Sequence, residues 1–230
     1  MIKFLEGDVI DCLKSLPDES VHCCVTSPPY WGLRDYGIDG QLGLEETPDE
    51  YVANMVEVFR EVKRVLRSDG TLWLNLGDSY ASSAKESGGH NPKQDSNRGS
   101  RTGLKPKDLV GIPWRVALAL QADGWWLRSD IIWSKTNPMP ESVTDRPTCA
   151  HEYVFLLTKT IGWQPTCSCD TGEVIPCTTL DPFGGSGTVA KVFRDFGRDS
   201  IYIDLNSEYV QMAMNRVGKS LFNEIYHEVC

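Results

Sequence analysis

Leu180-Asp181-Pro182-Phe183-Gly184-Gly185-Ser186-Gly187-Thr188 ends an apolar run in a glycine-rich turn, and Val189-Ala190-Lys191-Val192-Phe193 follows as a helical run. A strand end, a glycine turn and a helix start make a nucleotide-type cradle. Glycines let the backbone close on a ligand, and the first N–H groups of a helix have no partner inside it. A single turn of this kind is weak evidence. It gains weight from Ser200-Ile201-Tyr202-Ile203-Asp204, a second strand whose terminal acid lies 17 residues beyond Gly187 (204 − 187), where a carboxylate can take the two hydroxyls of a ribose. The pattern predicts an α/β fold with ligand groups at the carboxyl ends of parallel strands.

Far upstream stands a second unusual stretch, Val25-Thr26-Ser27-Pro28-Pro29-Tyr30-Trp31. Val21-His22-Cys23-Cys24-Val25 suits a buried strand, and two prolines cannot continue one because they lack backbone donors. Paired prolines hold the chain extended and leave the carbonyls of Ser27 and Pro28 stiffly presented. Rigid acceptors beside the Tyr30 ring suit a flat ligand that carries an NH2 group, which is how extruded bases are held. Taken alone, the stretch reads equally as a proline turn after a core strand.

The two motifs together resemble the amino-group DNA methyltransferases that use S-adenosylmethionine, in the beta arrangement, where the catalytic motif precedes the cofactor motif. The likeness runs from Phe4 to Arg216. It implies a circularly permuted Rossmann-like methyltransferase fold, an α/β architecture with a seven-stranded, mostly parallel sheet and helices on both faces. The hairpin between Trp126 and Lys159 would supply the reversed edge strand, and the last element must lie close to the first. The resemblance implies S-adenosylmethionine as cofactor, held by Asp8, Asp181, Phe183, Gly184, Gly185, Gly187, Thr188 and Asp204. It makes Ser27, Pro28, Pro29 and Tyr30 the catalytic set, places Trp31 and Asn137 at the target-base pocket, and sets His151-Glu152 near the base. Ser-Pro-Pro-Tyr is closest to the cytosine-N4 form, whereas Asp or Asn in the first position is commoner in adenine-N6 enzymes. The expected reaction is methylation of the cytosine exocyclic amine in double-stranded DNA after base flipping, as part of restriction-modification. Adenine-N6 transfer is the nearest alternative. A non-catalytic DNA-binding protein and an RNA or protein-amide methyltransferase are weaker ones.

Composition bounds these readings. At 230 residues and 25.7 kDa the chain suits one domain, 1–230. No leader and no apolar run of spanning length stand out, so the expectation is a cytoplasmic protein without a membrane partner, its 8 Cys reduced. A net charge of −9 is unusual for a DNA binder. Six basic residues between Lys85 and Lys107 against two acids give that segment +4, leaving −13 elsewhere. Residues 81–107 hold almost nothing apolar and read as a mobile basic loop, with Lys93, Arg98, Arg101 and Lys105 as phosphate contacts. Family members often pair on DNA, so a homodimer is compatible with this reading.

The remaining segments have structural expectations. Asp8 caps a helix over Val9–Leu16 whether or not it also meets the cofactor. Thr47-Pro48-Asp49-Glu50 is a capping box, and Tyr51, Met55, Val58, Val62 and Val65 recur at helical spacing in a helix ending near Asp69-Gly70. Thr71–Leu76 is the next strand, and Asp78 beyond it either lines the site or makes a turn. Arg34 could hold a phosphate or simply be solvated. A helix is expected over Lys107–Ala122 and another from Ser207, whereas the tail to Cys230 carries no signal. Cys167, Cys169 and Cys177 in a short insertion, 161–179, could close a zinc site with Cys149 or His151, but their spacing matches no common knuckle, and the reading assigns no metal.

Overall fold

The computed structural model describes residues 1–81, 103–138, 143–161, 177–218 and 225–230. Eight strands form one sheet: β1 (Ile2–Glu6), β2 (Val21–Thr26), β3 (Leu66–Leu76), β4 (Trp126–Ser134), β5 (His151–Thr158), β6 (Thr178–Asp181), β7 (Asp199–Asp204) and β8 (Ile225–Val229). Their order is β4-β5-β3-β2-β6-β7-β1-β8, parallel throughout except for β5, which runs against both β3 and β4. Seven of these are the expected strands, with two corrections. The reversed strand β5 lies one place inside the edge, with β4 outside it. The tail forms an eighth strand, pairing Ile2 with Ile225 through Glu6 with Val229. Ile225, Tyr226 and Val229 are strand formers, but the segment is only five residues long, His227-Glu228 interrupts it and no position is buried, so the strand is made by docking on β1. The expected closeness of last and first elements is thereby met.

Side chains along the central strands alternate between two helical layers, as the two-residue strand period demands. Leu5, Ile201 and Ile203 join the core formed with α1 (Val9–Lys14), α2 (Pro48–Val65) and α3 (Ile112–Ala122), while Phe4 and Tyr202 join the core of α4 (Thr188–Asp195) and α5 (Ser207–Val217). In α2 the five predicted apolar positions are all buried, with Pro48 and Phe59 added, and the Thr47–Glu50 capping box is reciprocal. The helix stops at Val65 because Leu66 is already extended and begins β3. In α1 Asp8 accepts from the N–H groups of Ile10 and Asp11, and the helix closes at Lys14.

Helices α1, α2 and α3 each differ from expectation at one end, α1 and α2 by closing early. α3 starts at Ile112, not Lys107, because Gly111 is left-handed and Val110 N–H bonds Ser79 O at 2.9 Å. Leu109 therefore pairs with Tyr80 in an isolated bridge and is exposed instead of facing the core. In α5 the buried face is Val210, Ala213 and Val217, with Met212 exposed. The cysteines also differ, since Cys12 and Cys230 form a disulfide where reduced thiols were expected. β8 causes this by carrying Cys230 past Glu6, whose carbonyl accepts its N–H at 2.8 Å. Among the described residues no helix is long and apolar enough to cross a membrane.

Candidate active site

The carboxyl ends of β2, β6 and β7 and the turn after β1 surround one cavity of about 350 Å³. It sits where the strand order reverses direction, the place at which open parallel sheets collect ligands. Asp8, Ser27, Pro28, Phe183, Gly185 and Asp204 all line it, so the two sequence motifs, a chain length of 150 residues apart (181 − 31), share one space.

The glycine turn is held by close packing. A Cβ on Gly184 would meet the Tyr202 ring at 2.1 Å, so any larger residue must displace that ring. Gly184 N–H bonds Ile203 O at 2.9 Å and the Tyr202 hydroxyl donates to Gly185 O at 2.7 Å. The Asp204 carboxylate accepts Gly185 N–H through Oδ2 and Asn206 N–H through Oδ1, both at 2.8 Å. Burial raises its pKa, and those two N–H groups pull it back. A carboxylate fixed on both oxygens and facing the cavity fits the ribose hydroxyls of S-adenosylmethionine, with Phe183 as an apolar wall and the Asp8 carboxylate at the neighbouring turn.

Other predicted cofactor residues lie just behind that wall. Asp181 is buried and accepts from the Thr26 hydroxyl at 2.8 Å and from Phe183 N–H at 3.3 Å, tying the end of β2 to the end of β6. Burial pushes its pKa up to about 7, against those two donors and with a contribution from the Asp204 charge. Gly187 caps α4 against Ala213, and Thr188 Oγ1 meets the Arg216 guanidinium at 3.0 Å. Arg216 also bonds Ser186 O at 3.2 Å and Ser186 Oγ at 2.9 Å.

At the other end of the cavity three strands meet. Ser27 Oγ and the Tyr30 hydroxyl both donate toward Asn75 Oδ1, at 3.2 and 2.9 Å, and the Tyr30 hydroxyl lies 3.2 Å from Glu152 Oε2. Asn75 Nδ2 donates to Glu152 Oε2 at 3.3 Å and to Tyr153 O at 3.1 Å. Lys135 pairs with Glu152 Oε1. Burial, aided by the Glu152 charge and offset by Ser27, pushes the Tyr30 phenol up to about 12. The Tyr30 ring rests on Gly77, where a Cβ would come within 2.4 Å of it. Pro29 O is fixed by the Tyr51 hydroxyl at 2.9 Å.

Two predicted pocket residues stand elsewhere. Trp31 is buried beneath the loop, its Nε1 donating to Glu45 O at 3.1 Å, so it anchors the loop and does not line the cavity. Asn137 is exposed beyond β4 and away from the cavity wall. Asp78 makes a cap: its Oδ1 takes the N–H groups of Ser79, Gly111 and Ile112 at 2.8, 2.9 and 3.1 Å. Of the predicted DNA contacts, Lys93, Arg98 and Arg101 lie outside the described residues, as do Cys167 and Cys169. Lys105 is exposed near Asp108, at the stem where Lys107 N–H bonds Ala81 O at 2.7 Å.

Sequence reasoning missed Asn75, which looked like one more residue of a buried strand, and the part played by Arg34, Tyr36 and Gln41, which roof the cavity. The Tyr36 ring meets that of Tyr209 on α5 edge-on, centroids 5.8 Å apart. A polar amide in an otherwise apolar strand was the one available signal for Asn75.

Comparison with known proteins identifies the family and the fold. A family model described as DNA methylase matches residues 21–163 and 176–215. The Type II methyltransferase M.Cfr9I of Citrobacter freundii is 43% identical over 258 residues, covering 92% of this chain and 86% of the relative. M.SmaI of Serratia marcescens, also a Type II methyltransferase, is 41% identical, covering 94% and 90%. Among solved structures, the cytosine-N4-specific PvuII DNA methyltransferase superposes with a TM-score of 0.66 at 18% identity, covering 96% of this chain and 88% of the other. A Thermus thermophilus protein crystallised with S-adenosyl-L-methionine superposes with a TM-score of 0.69 at 24% identity over 100% of both chains.

Proposed function

Because this chain belongs to the DNA methylase family that modifies exocyclic amino groups from S-adenosylmethionine, we propose that its own target is the N4 amine of cytosine in duplex DNA. The observation that carries this reading is Ser27-Pro28-Pro29-Tyr30 at the wall of the cavity that Gly185 and Asp204 also line. We read 1–230 as one catalytic domain, and the Type II relatives support a role as the modifying half of a restriction-modification pair.

The bound cofactor supplies an activated methyl on a sulfonium. Everything else falls to the chain. Asp204 and Asp8 take the polar groups of the cofactor and Phe183 its apolar surface, with Asp181 and Gly184 keeping the turn in place from behind. An exocyclic amine is a poor nucleophile because its lone pair delocalises into the ring. Acceptors at Ser27 Oγ and Pro28 O take its two hydrogens and turn the lone pair toward the methyl carbon. The Tyr30 ring, backed by Gly77, offers the extruded base a flat surface. Holding the two reactants at contact distance supplies much of the rate. No Pro-Cys nucleophile is needed, since transfer to an amine is a direct displacement. The basic segment that includes Lys93, Arg98, Arg101 and Lys105 is assigned to the phosphates.

Digesting DNA methylated by the purified protein and identifying the modified nucleoside tests the assignment. N4-methylcytosine is expected; N6-methyladenine would overturn the base assignment while leaving the family intact.

A further inference from the structure

Ser27 carries no charge, yet it faces an amine that becomes cationic when it gains a methyl. The nearest negative charge in the cluster belongs to Glu152, two hydrogen bonds away. Counting hydrogens shows how the two are joined. Asn75 uses its amide hydrogens on Glu152 Oε2 and Tyr153 O, so only its Oδ1 faces Ser27 and Tyr30. Ser27 Oγ can donate to Asn75 Oδ1 at 3.2 Å or to the Tyr30 hydroxyl at 3.3 Å, and the Tyr30 hydroxyl to Asn75 Oδ1 or Glu152 Oε2. Both hydroxyl hydrogens are thus drawn inward, which leaves the lone pairs of Ser27 turned to the cavity. Lys135 and Tyr30 are the titratable groups that the described residues place against Glu152; His151 turns toward Tyr153 and Cys149.

We propose that Glu152, reached from Ser27 through the Tyr30 hydroxyl and held in register by Asn75, receives the proton that the methylated amine must shed. This rests on the reading that Ser27 accepts a hydrogen of the target amine. As the nitrogen–methyl bond forms and the sulfur–methyl bond breaks, the electron pair of the latter returns to sulfur. The amine proton passes to Ser27 Oγ, the proton of Ser27 to the Tyr30 oxygen, and that of Tyr30 to Glu152 Oε2. The products are a neutral methylamine, a neutral thioether and a carboxylic acid, which returns its proton to water through the 17% of the Glu152 side chain that remains exposed. A phenol pushed up to about 12 stays protonated at neutral pH and can pass a proton on without being lost as a donor. Asn75 and Glu152 are positioning residues in this scheme, because neither touches the base.

The test compares Glu152→Gln, Tyr30→Phe and the double variant by single-turnover methyl transfer. Calorimetric binding of S-adenosylmethionine and fluorescence of DNA with 2-aminopurine at the target position are read alongside. Each single change is expected to slow transfer by roughly 10²-fold, with cofactor binding and the base-flipping signal retained. The double variant is expected to be no slower than either single one, because both remove the same path. Slowing of the rate should lessen as pH rises and solvent takes the proton. A Glu152→Gln enzyme with an unchanged single-turnover rate overturns the proposal, and so does multiplicative loss in the double variant. If Glu152→Gln does not fold, as judged by melting, Tyr30→Phe decides alone: an unchanged rate overturns the relay. Either amine could use this path, so an adenine product would sink the cytosine assignment and spare the relay, whereas a null result here would do the reverse.

Discussion

The two ends of the cavity are built in opposite ways. At the end assigned to the cofactor the glycine turn and its acid come from two consecutive strands, and Gly185 bonds Asp204 across only 19 positions of sequence. At the base end Ser27, Asn75 and Glu152 arrive from β2, β3 and β5, with separations of 48 and 77 residues bridged by sheet register. A local site is backed by backbone bonds and rigid packing. A composite site instead depends on side-chain hydrogen bonds, so its chemistry can be altered with little effect on binding of the cofactor.

Ser27→Ala should test this contrast most sharply. Removing one acceptor that matters only as charge develops costs on the order of 10²–10³ in rate, so single-turnover transfer should fall by that factor while calorimetric affinity for S-adenosylmethionine holds. Equal loss of cofactor affinity would show that the two ends are not separable. Asp204→Asn is the complementary change. An amide there turns an NH2 toward a backbone N–H that now has a carboxylate oxygen, Gly185 at 2.8 Å or Asn206 at 2.8 Å. Charged hydrogen bonds are worth about 1.5–3 kcal/mol each, so the dissociation constant for the cofactor should rise by roughly tenfold to 10²-fold, with the rate at saturation close to wild type.

How much of each end was legible follows from the same contrast. Leu180–Thr188 and Asp204 could be read because strand, turn and acid are neighbours in sequence, and the αL and close-packed positions demand glycine. Ser27–Tyr30 could be read because two prolines after a strand are rare. Asn75 could not, since its role exists only once β3 lies beside both β2 and β5, and Trp31 was misplaced because an aromatic beside a pocket motif looks the same whether it faces in or under. Asp78 stood at the correct strand end, but its oxygen is committed to the start of α3. The tail strand β8 owes its existence to β1 and has almost no pattern of its own.

Titration distinguishes the two ends as well. The folded-state pKa of Asp181 is raised from 3.8 to about 7, chiefly by burial, and that of Asp204 is raised for the same first reason. A raised carboxylate binds its proton more tightly in the folded state, so the associated stability is fully present below 3.8 and is lost as pH climbs through about 7. The melting midpoint of the cofactor-free protein should therefore decline by several degrees, about 2–4 °C per kcal/mol for a chain of this size, between pH 5 and pH 8. Asp181→Asn, which keeps an oxygen for Thr26 and Phe183, should flatten that decline. An unaltered slope in this variant would assign the titration elsewhere. Tyr30, at about 12, contributes nothing in that window.

The smallest effect expected is at Arg216, and it asks whether the cofactor end is held by its local turn alone. Its guanidinium reaches from α5 to Ser186 O, Ser186 Oγ and Thr188 Oγ1, at 3.2, 2.9 and 3.0 Å, and so braces the turn from outside. The residue is exposed, and each bond competes with water, so the net contribution is about 0.5–1 kcal/mol. Arg216→Ala should weaken S-adenosylmethionine binding about threefold and leave the single-turnover rate at saturation unchanged. Arg216→Lys should recover part of the loss, since all three bonds come from one nitrogen, Nη1, and an ammonium on a shorter, more flexible stem can stand in for some of them. A loss as large as that of Asp204→Asn would mean that the turn does not hold its own shape, and the contrast between a local cofactor end and a composite base end would have to be given up.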